Sequence, residues 1–171
     1  MTAAKTNRKL HRLGAIVTAV PVLVIFLSGF VLQLKKEWSW VQPPTQRGSV
    51  QSPQVPFDDI LVAAMAVPEA QIKDWGDVDR LDVRPGKGVV KVRAKNRWEV
   101  QIDLGTASVL SSSYRRSDLI ESIHDGSWFH DSVKLWLFLP TATLLVALWF
   151  TGIYLWFLPY LVRRRRKQRI A

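Results

Sequence analysis

Two long apolar runs frame the chain, and a stretch of alternating apolar and polar residues lies between them. The run 14–34 carries no formal charge over 21 residues, and a helix of that length rises about 30 Å, the thickness of a bilayer's hydrocarbon core. The uncharged run 135–162 is longer and spans with some tilt or with one end at the interface. Between the runs, Leu81 and Val83 alternate with Asp82 and Arg84. Val90, Val92 and Ala94 alternate with Lys91, Arg93 and Lys95, and Trp98, Val100, Ile102 and Leu104 alternate with Glu99, Gln101 and Asp103. A period of two predicts strands with one buried and one wet face. Pro85-Gly86 and Asn96-Arg97 mark turns, and a weaker strand around 108–111 follows Gly105. Ahead of the strands, 58–67 predicts a short helix, with Ile60, Ala63 or Ala64, and Val67 at helical spacing and Pro68 closing it. That helix covers the apolar side of an antiparallel sheet, a small α+β layer.

The remaining segments carry weaker signals. Val41 to Pro56 is rich in Pro, Gln and Ser and reads as a tether. Lys91, Arg93 and Lys95 face either an anionic partner or the acidic strand beside them, and cross-strand pairing with Glu99, Gln101 and Asp103 predicts a self-neutralised, solvated face. Asp118 and Glu121 resemble a capping pair for a short helix with Leu119, Ile120 and Ile123 on its apolar side, stopped by Asp125-Gly126. Asp131 or Ser132 then caps the second span. The expected organisation is a basic tail 1–13, a first span 14–34, a tether 35–56, a folded domain 57–116, an interfacial helix 117–132, a second span 133–162 and a basic tail 163–171.

Charge fixes the expected orientation. The net charge is +10, yet all 14 Asp and Glu lie between Glu37 and Asp131. The surplus sits at the ends: Lys5, Arg8, Lys9 and Arg12 precede the first run, and Arg163, Arg164, Arg165, Arg166, Lys167 and Arg169 follow the second. Basic residues beside spans stay on the cytoplasmic side, so both termini are expected inside and the central domain outside, in the periplasm. Because the charges flank lipid-length segments and decorate no folded face, nucleic-acid binding is not expected. Trp38, Trp40, Trp128, Phe129, Trp136, Trp156 and Tyr160 lie at the depths where headgroups belong. A cleavable signal peptide is the rival reading of the first run, but the run exceeds a usual signal core and no Ala-x-Ala-like site follows it. The absence of cysteine excludes disulfides, iron-sulfur clusters and covalent c-type haem.

Several motifs resemble the PepSY-associated transmembrane proteins of bacteria. They are His11-Arg12-Leu13-Gly14 opening the first span, Ser28-Gly29 near its far end, the helix-and-strand core from Phe57 to Leu110, Ile123-His124-Asp125-Gly126, and Thr151-Gly152-Ile153-Tyr154-Leu155-Trp156. The resemblance implies a bacterial inner-membrane protein with an extracytoplasmic PepSY domain, a module associated with binding or inhibiting peptidases. Longer relatives look like haem-bearing ferric-siderophore reductases with four spans, where this chain has two.

Candidate chemistry is sparse. Haem b needs axial ligands from His11, His124 and His130, the three histidines present. His11 and the other two sit a bilayer thickness apart, so one haem cannot join both sides within a chain, whereas a homodimer can present His124 twice. No HExxH or cysteine cluster suggests a metal, and no catalytic triad, nucleophile elbow or phosphate loop suggests an enzyme. Neither span carries Asp, Glu, Lys, Arg or His in its interior, as ion pathways require. Thr143, Ala147 and Thr151, with Gly152, give the second span small residues on which the first span or a foreign helix packs. The expected function is a non-catalytic, membrane-anchored module or accessory subunit that binds an integral-membrane or periplasmic protein. A haem b redox subunit and a periplasmic peptidase inhibitor are the alternatives.

Overall fold

In the computed structural model, residues 3–168 are described, without the side chains of 3 and 164–167. Of the second basic tail, 163–171, residues 169–171 lie outside the described residues. The chain is an α+β membrane protein in which two membrane-length helices flank a sheet core. It divides into two units, a helical one built from Met1–Gly29 with Ser122–Ala171, and a sheet unit, Phe30–Glu121.

In the helical unit, helix α1 covers Ala3–Gln33. The second span begins with a helical turn, Asp131–Val133, passes through a π-helical turn at Lys134–Phe138 and continues as Leu139–Gln168. The two spans meet along matched stripes. On α1 the inward positions are Asn7, His11, Gly14, Thr18, Pro21, Ile25 and Ser28, and on the second span they are Phe138, Thr141, Leu145, Leu148, Gly152 and Leu155. Steps of three and four keep these positions on one face of each helix. The α1 stripe is small or polar because lipid offers no hydrophobic drive for helix pairing, and close approach must supply it. A Cβ added at Gly14 would sit 3.0 Å from Leu148. Thr18 and Ser28 donate their hydroxyl protons to α1 carbonyls, at Gly14 and Val24, so neither of these hydroxyls is left bare in hydrocarbon. The outward faces carry Leu, Val, Ile, Phe and Trp, as lipid-facing surfaces do.

The sheet unit holds α2 (Phe57–Met65) and strands β1 (Val78–Arg84), β2 (Val89–Ala94), β3 (Trp98–Asp103) and β4 (Val109–Tyr114). They form an antiparallel meander in that order. Gly88 and Arg97 supply the left-handed conformations that close the first two hairpins, at φ 67° and 71°. Val90 and Val92 on β2, with Val100 and Ile102 on β3, pack against Ile60 and Ala64 of α2 and against Val67, Ala70 and Ile72 beyond it. Helix α3 (Arg116–Asp125) runs on from β4.

The opposite face departs from the solvated surface that its alternation predicts. Lys91, Glu99 and Gln101 are each at most 1% exposed. The expected tether is what buries them. Gln46 donates its backbone N–H to Gln101 Oε1 at 2.8 Å, Gln101 Nε2 donates to the Pro44 carbonyl at 2.9 Å, and Gly48 N–H donates to the Lys87 carbonyl at 2.8 Å. Ser49 gives both its N–H and its hydroxyl to Asp103, at 2.7 and 2.8 Å. Segment 41–50 is thus a strap, fastened by hydrogen bonds because its Pro, Gln and Ser residues bring little apolar area to bury. Strand β4 likewise runs three residues past its expected end.

Burial alone would raise the Asp103 carboxyl, but the N–H groups of Gly105, Ser49 and Thr106 and the Ser49 hydroxyl hold it below the usual aspartate range. A carboxylate with a depressed folded pKa stabilises above its unfolded value, about 3.9, and that stability is lost as pH falls through the folded value. Acid is therefore expected to release the strap first. Hydrogen exchange below pH 4 should rise at the Gln46, Gly48 and Ser49 amides before the β2 and β3 amides, and Asp103→Asn should remove that pH dependence.

Candidate functional site

Inside the sheet unit, one carboxylate organises three cations. Glu99 lies on β3 with its neighbours fixed by register: Arg93 is directly opposite on β2, and Lys91 is the next residue on the same face. Glu99 Oε1 accepts from Lys91 Nζ and Gln101 Nε2, both at 3.0 Å, and Oε2 accepts from Arg115 Nη1 at 2.6 Å. Arg115 also donates Nε to both oxygens of Asp118 at 3.1 Å. Arg93 Nε stands 3.7 Å from Oε2 and makes no hydrogen bond although it is buried. Burial pulls the Lys91 ammonium below the usual lysine range, with Glu99 partly offsetting it. Every member touches another or the strap, so this cluster holds the unit together and presents no open reacting position.

The second arrangement is a surface. Helix α2 turns Ile60 and Ala64 inward, and four large apolar residues stay out: Phe57 at 63% exposure, Val62 at 65%, Met65 at 45% and Trp75, just beyond the helix, at 39%. Phe57 meets Trp75 edge-on with ring centroids 6.3 Å apart. Met65 also opens a groove of about 610 Å³ that runs past Val67, Pro68 and Ile72 to Lys73 and Asp77. Around it, the stretch 57–79 carries Asp58, Asp59, Glu69, Asp74, Asp77 and Asp79 against a single basic residue, Lys73. Asp58 and Asp59 stand in the first turn of α2, and as adjacent residues of a helix they do not face each other as an acid/base pair. Phe57, Val62 and Met65 fall within about 140° of one another around the helix, an apolar arc beyond the one that turns Ile60 and Ala64 to the core.

In the helical unit the three predicted histidines separate into two kinds. His124 Nδ1 lies 3.1 Å from the Ile25 carbonyl and 3.0 Å from Ser28 Oγ. A carbonyl only accepts and Ser28 has already donated to Val24, so Nδ1 carries the proton. His11 Nδ1 lies 2.8 Å from Thr151 Oγ1, whose own proton goes to the Leu148 carbonyl at 3.0 Å. Again Nδ1 is the donor, and in both rings the neutral form leaves a lone pair on Nε2. His130 is the reverse: its Nδ1 accepts from the Ser132 N–H at 3.1 Å, which puts the proton on Nε2. This side chain, rather than Asp131 or Ser132, is the N-cap of the second span. His11 and the His124 contact at Ser28 are seventeen residues apart along α1, about 25 Å.

Of the small residues singled out on the second span, Thr151 and Gly152 face α1, and a Cβ at Gly152 would stand 3.4 Å from the His11 ring. Thr143 and Ala147 are exposed on the outer side, where Thr143 donates to the Leu139 carbonyl at 3.0 Å. They do not pack on the first span. Where α3 ends, Gly126 adopts φ 84° beneath the Phe138 ring. There burial would raise the Asp125 carboxyl, but Lys134 at 2.7 Å and Ser127 bring it down to about 2. Among the described residues no group of three or more His, Cys, Asp and Glu is placed to hold a metal ion.

Comparison with curated proteins and with solved structures finds no match in either. The family described as the PepSY-associated TM region matches residues 8–171, which takes in both spans and the sheet unit between them. The chain belongs to the PepSY-associated TM family.

Proposed function

We propose that the protein is a non-catalytic, membrane-anchored binding subunit of the bacterial inner membrane, with both termini in the cytoplasm and the sheet unit in the periplasm. The observation that carries this reading is the exposed α2 surface, where Phe57, Val62, Met65 and Trp75 stand out of a unit whose two sheet faces are both already covered. Apolar surface of this kind with a polar rim marks an interaction site. Five carboxylates against one lysine, with Asp79 paired to Arg80, favour a partner segment that is basic and bears apolar anchors. They disfavour an isologous contact with a second copy, which would set like charges together. A photo-crosslinking residue at Val62 or Met65 should give a discrete adduct in native membranes, diminished by Asp58→Lys with Asp59→Lys. No adduct there, with equal background from a probe at the exposed Lys87, beyond the other end of β2, would refute the reading. A peptidase would be one such partner, and it would be inhibited on mixing with the full chain.

The imidazole geometry favours a second reading, a haem b subunit. A histidine that ligates iron ordinarily donates its other ring N–H to a fixed acceptor, and His11 and His124 both do so while His130 does not. With about 25 Å between them, each would serve a different haem and need a second ligand from another chain. A bound haem would supply one-electron chemistry; the residues here only orient the ring. A Soret band that disappears in His124→Ala supports this reading, and a featureless visible spectrum from haem-replete cells removes it.

A further inference from the structure

Where the basic end of α1 meets the end of the second span, the helical unit holds a crevice of about 530 Å³. Arg8 lines it from α1 and Arg163 from the second span, and Leu155, Leu158 and Pro159 form its apolar wall. A second, adjoining concavity shares Arg8 but is lined otherwise by Lys5, Lys9 and Arg12 alone. No acidic residue precedes Glu37 or follows Asp131 in the chain, and among the described residues neither Arg8 nor Arg163 makes an ion pair. Next to Arg8 on α1, Asn7 Nδ2 is buried with no hydrogen-bond partner. Arg163 closes the membrane-spanning stretch of its helix, which sets the two guanidinium groups at headgroup depth.

We propose that this crevice binds one anionic phospholipid, its phosphate held between Arg8 and Arg163 and an acyl chain laid along Leu155, Leu158 and Pro159. Guanidinium groups match phosphate oxygens with paired N–H donors, and basic pockets between spans are the usual seats of acidic headgroups. The apolar wall distinguishes a lipid from free phosphate, since a soluble anion gains nothing from three hydrocarbon side chains. This site is independent of the partner surface on α2 and of any haem.

The test is native mass spectrometry of the full chain released from detergent micelles, with phosphatidylglycerol or phosphatidylcholine added. A one-to-one adduct with phosphatidylglycerol is expected, and none with phosphatidylcholine. Arg8→Gln with Arg163→Gln should weaken it roughly thirtyfold, the effect of two basic groups at a membrane surface. Lys9→Gln with Arg12→Gln removes the same charge from the neighbouring concavity and should change it less than threefold. Equal losses from the two pairs would mean diffuse attraction and overturn the proposal. So would retention of phosphatidylcholine, or displacement of the lipid by millimolar inorganic phosphate, which would make the crevice a site for a free anion.

Discussion

Glu99→Gln is expected to destabilise the sheet unit by about 3–5 kcal/mol, the range for removing one partner of a buried ion pair. The substitution keeps the shape and the Gln101 contact but leaves Lys91, Arg93 and Arg115 facing one another without their shared carboxylate. Asp118 pairs with Arg115 alone of the three, and Lys91 has Glu99 as its one carboxylate among the described residues. Lys35 with Glu121 is the contrasting case, an ion pair exposed at 38% and 48%, so Glu121→Gln should cost well under 1 kcal/mol. Pulse proteolysis of the full chain across a urea series reads both midpoints. A Glu99→Gln midpoint no lower than that of Glu121→Gln would show that the buried cluster contributes nothing. Combining Glu99→Leu with Lys91→Met should recover part of the loss, since apolar residues of similar volume often replace a buried pair at little cost.

The second large effect is expected at Gly48, where strap and sheet backbones touch. An added Cβ would lie 1.9 Å from the Gly88 carbonyl oxygen. That atom is main chain and cannot swing aside, since it also accepts the Leu104 N–H at 2.9 Å. Gly88 is fixed in turn by its φ of 67°. Gly48→Ala must therefore lift the strap, stripping Gln101 and Asp103 of partners and admitting water to Glu99. A loss of about 2–4 kcal/mol follows from leaving these buried polar groups unsatisfied. Hydrogen exchange should speed at 46–49 by at least tenfold. Gly86→Ala, where nothing lies within 4 Å of the added atom, should leave exchange unchanged, and an equally silent Gly48→Ala would show that the strap is not fastened as described.

The spans and strands were legible because each rests on a repeating signal, lipid-length runs without charge and a period of two. The burial of the charged sheet face was not. Alternation separates two faces of a strand but does not say what lies over either, and Lys91, Arg93, Glu99 and Gln101 read the same under water as under a strap. The strap itself hides in composition, because its contacts are main-chain N–H and C=O groups, at Pro44, Gln46 and Gly48, that every sequence possesses. At the histidines, spacing gave their distance along the chain, but the proton positions that divide His11 and His124 from His130 follow from acceptors contributed by other segments. Similarly, Thr143 and Ala147 share a small-residue spacing with Thr151, yet the helix turns only Thr151 and Gly152 toward α1.

The proposed topology sets both ends of the chain on one side of the membrane and the sheet unit on the other. The chain has no cysteine, so single cysteines at Lys5, Asn96 and Gln168 can be tested with a membrane-impermeant maleimide in intact spheroplasts. Labelling of Asn96→Cys alone is predicted, with Lys5→Cys and Gln168→Cys reacting only after lysis. Labelling of either terminal position before lysis, or protection of Asn96→Cys, would contradict the two-span arrangement.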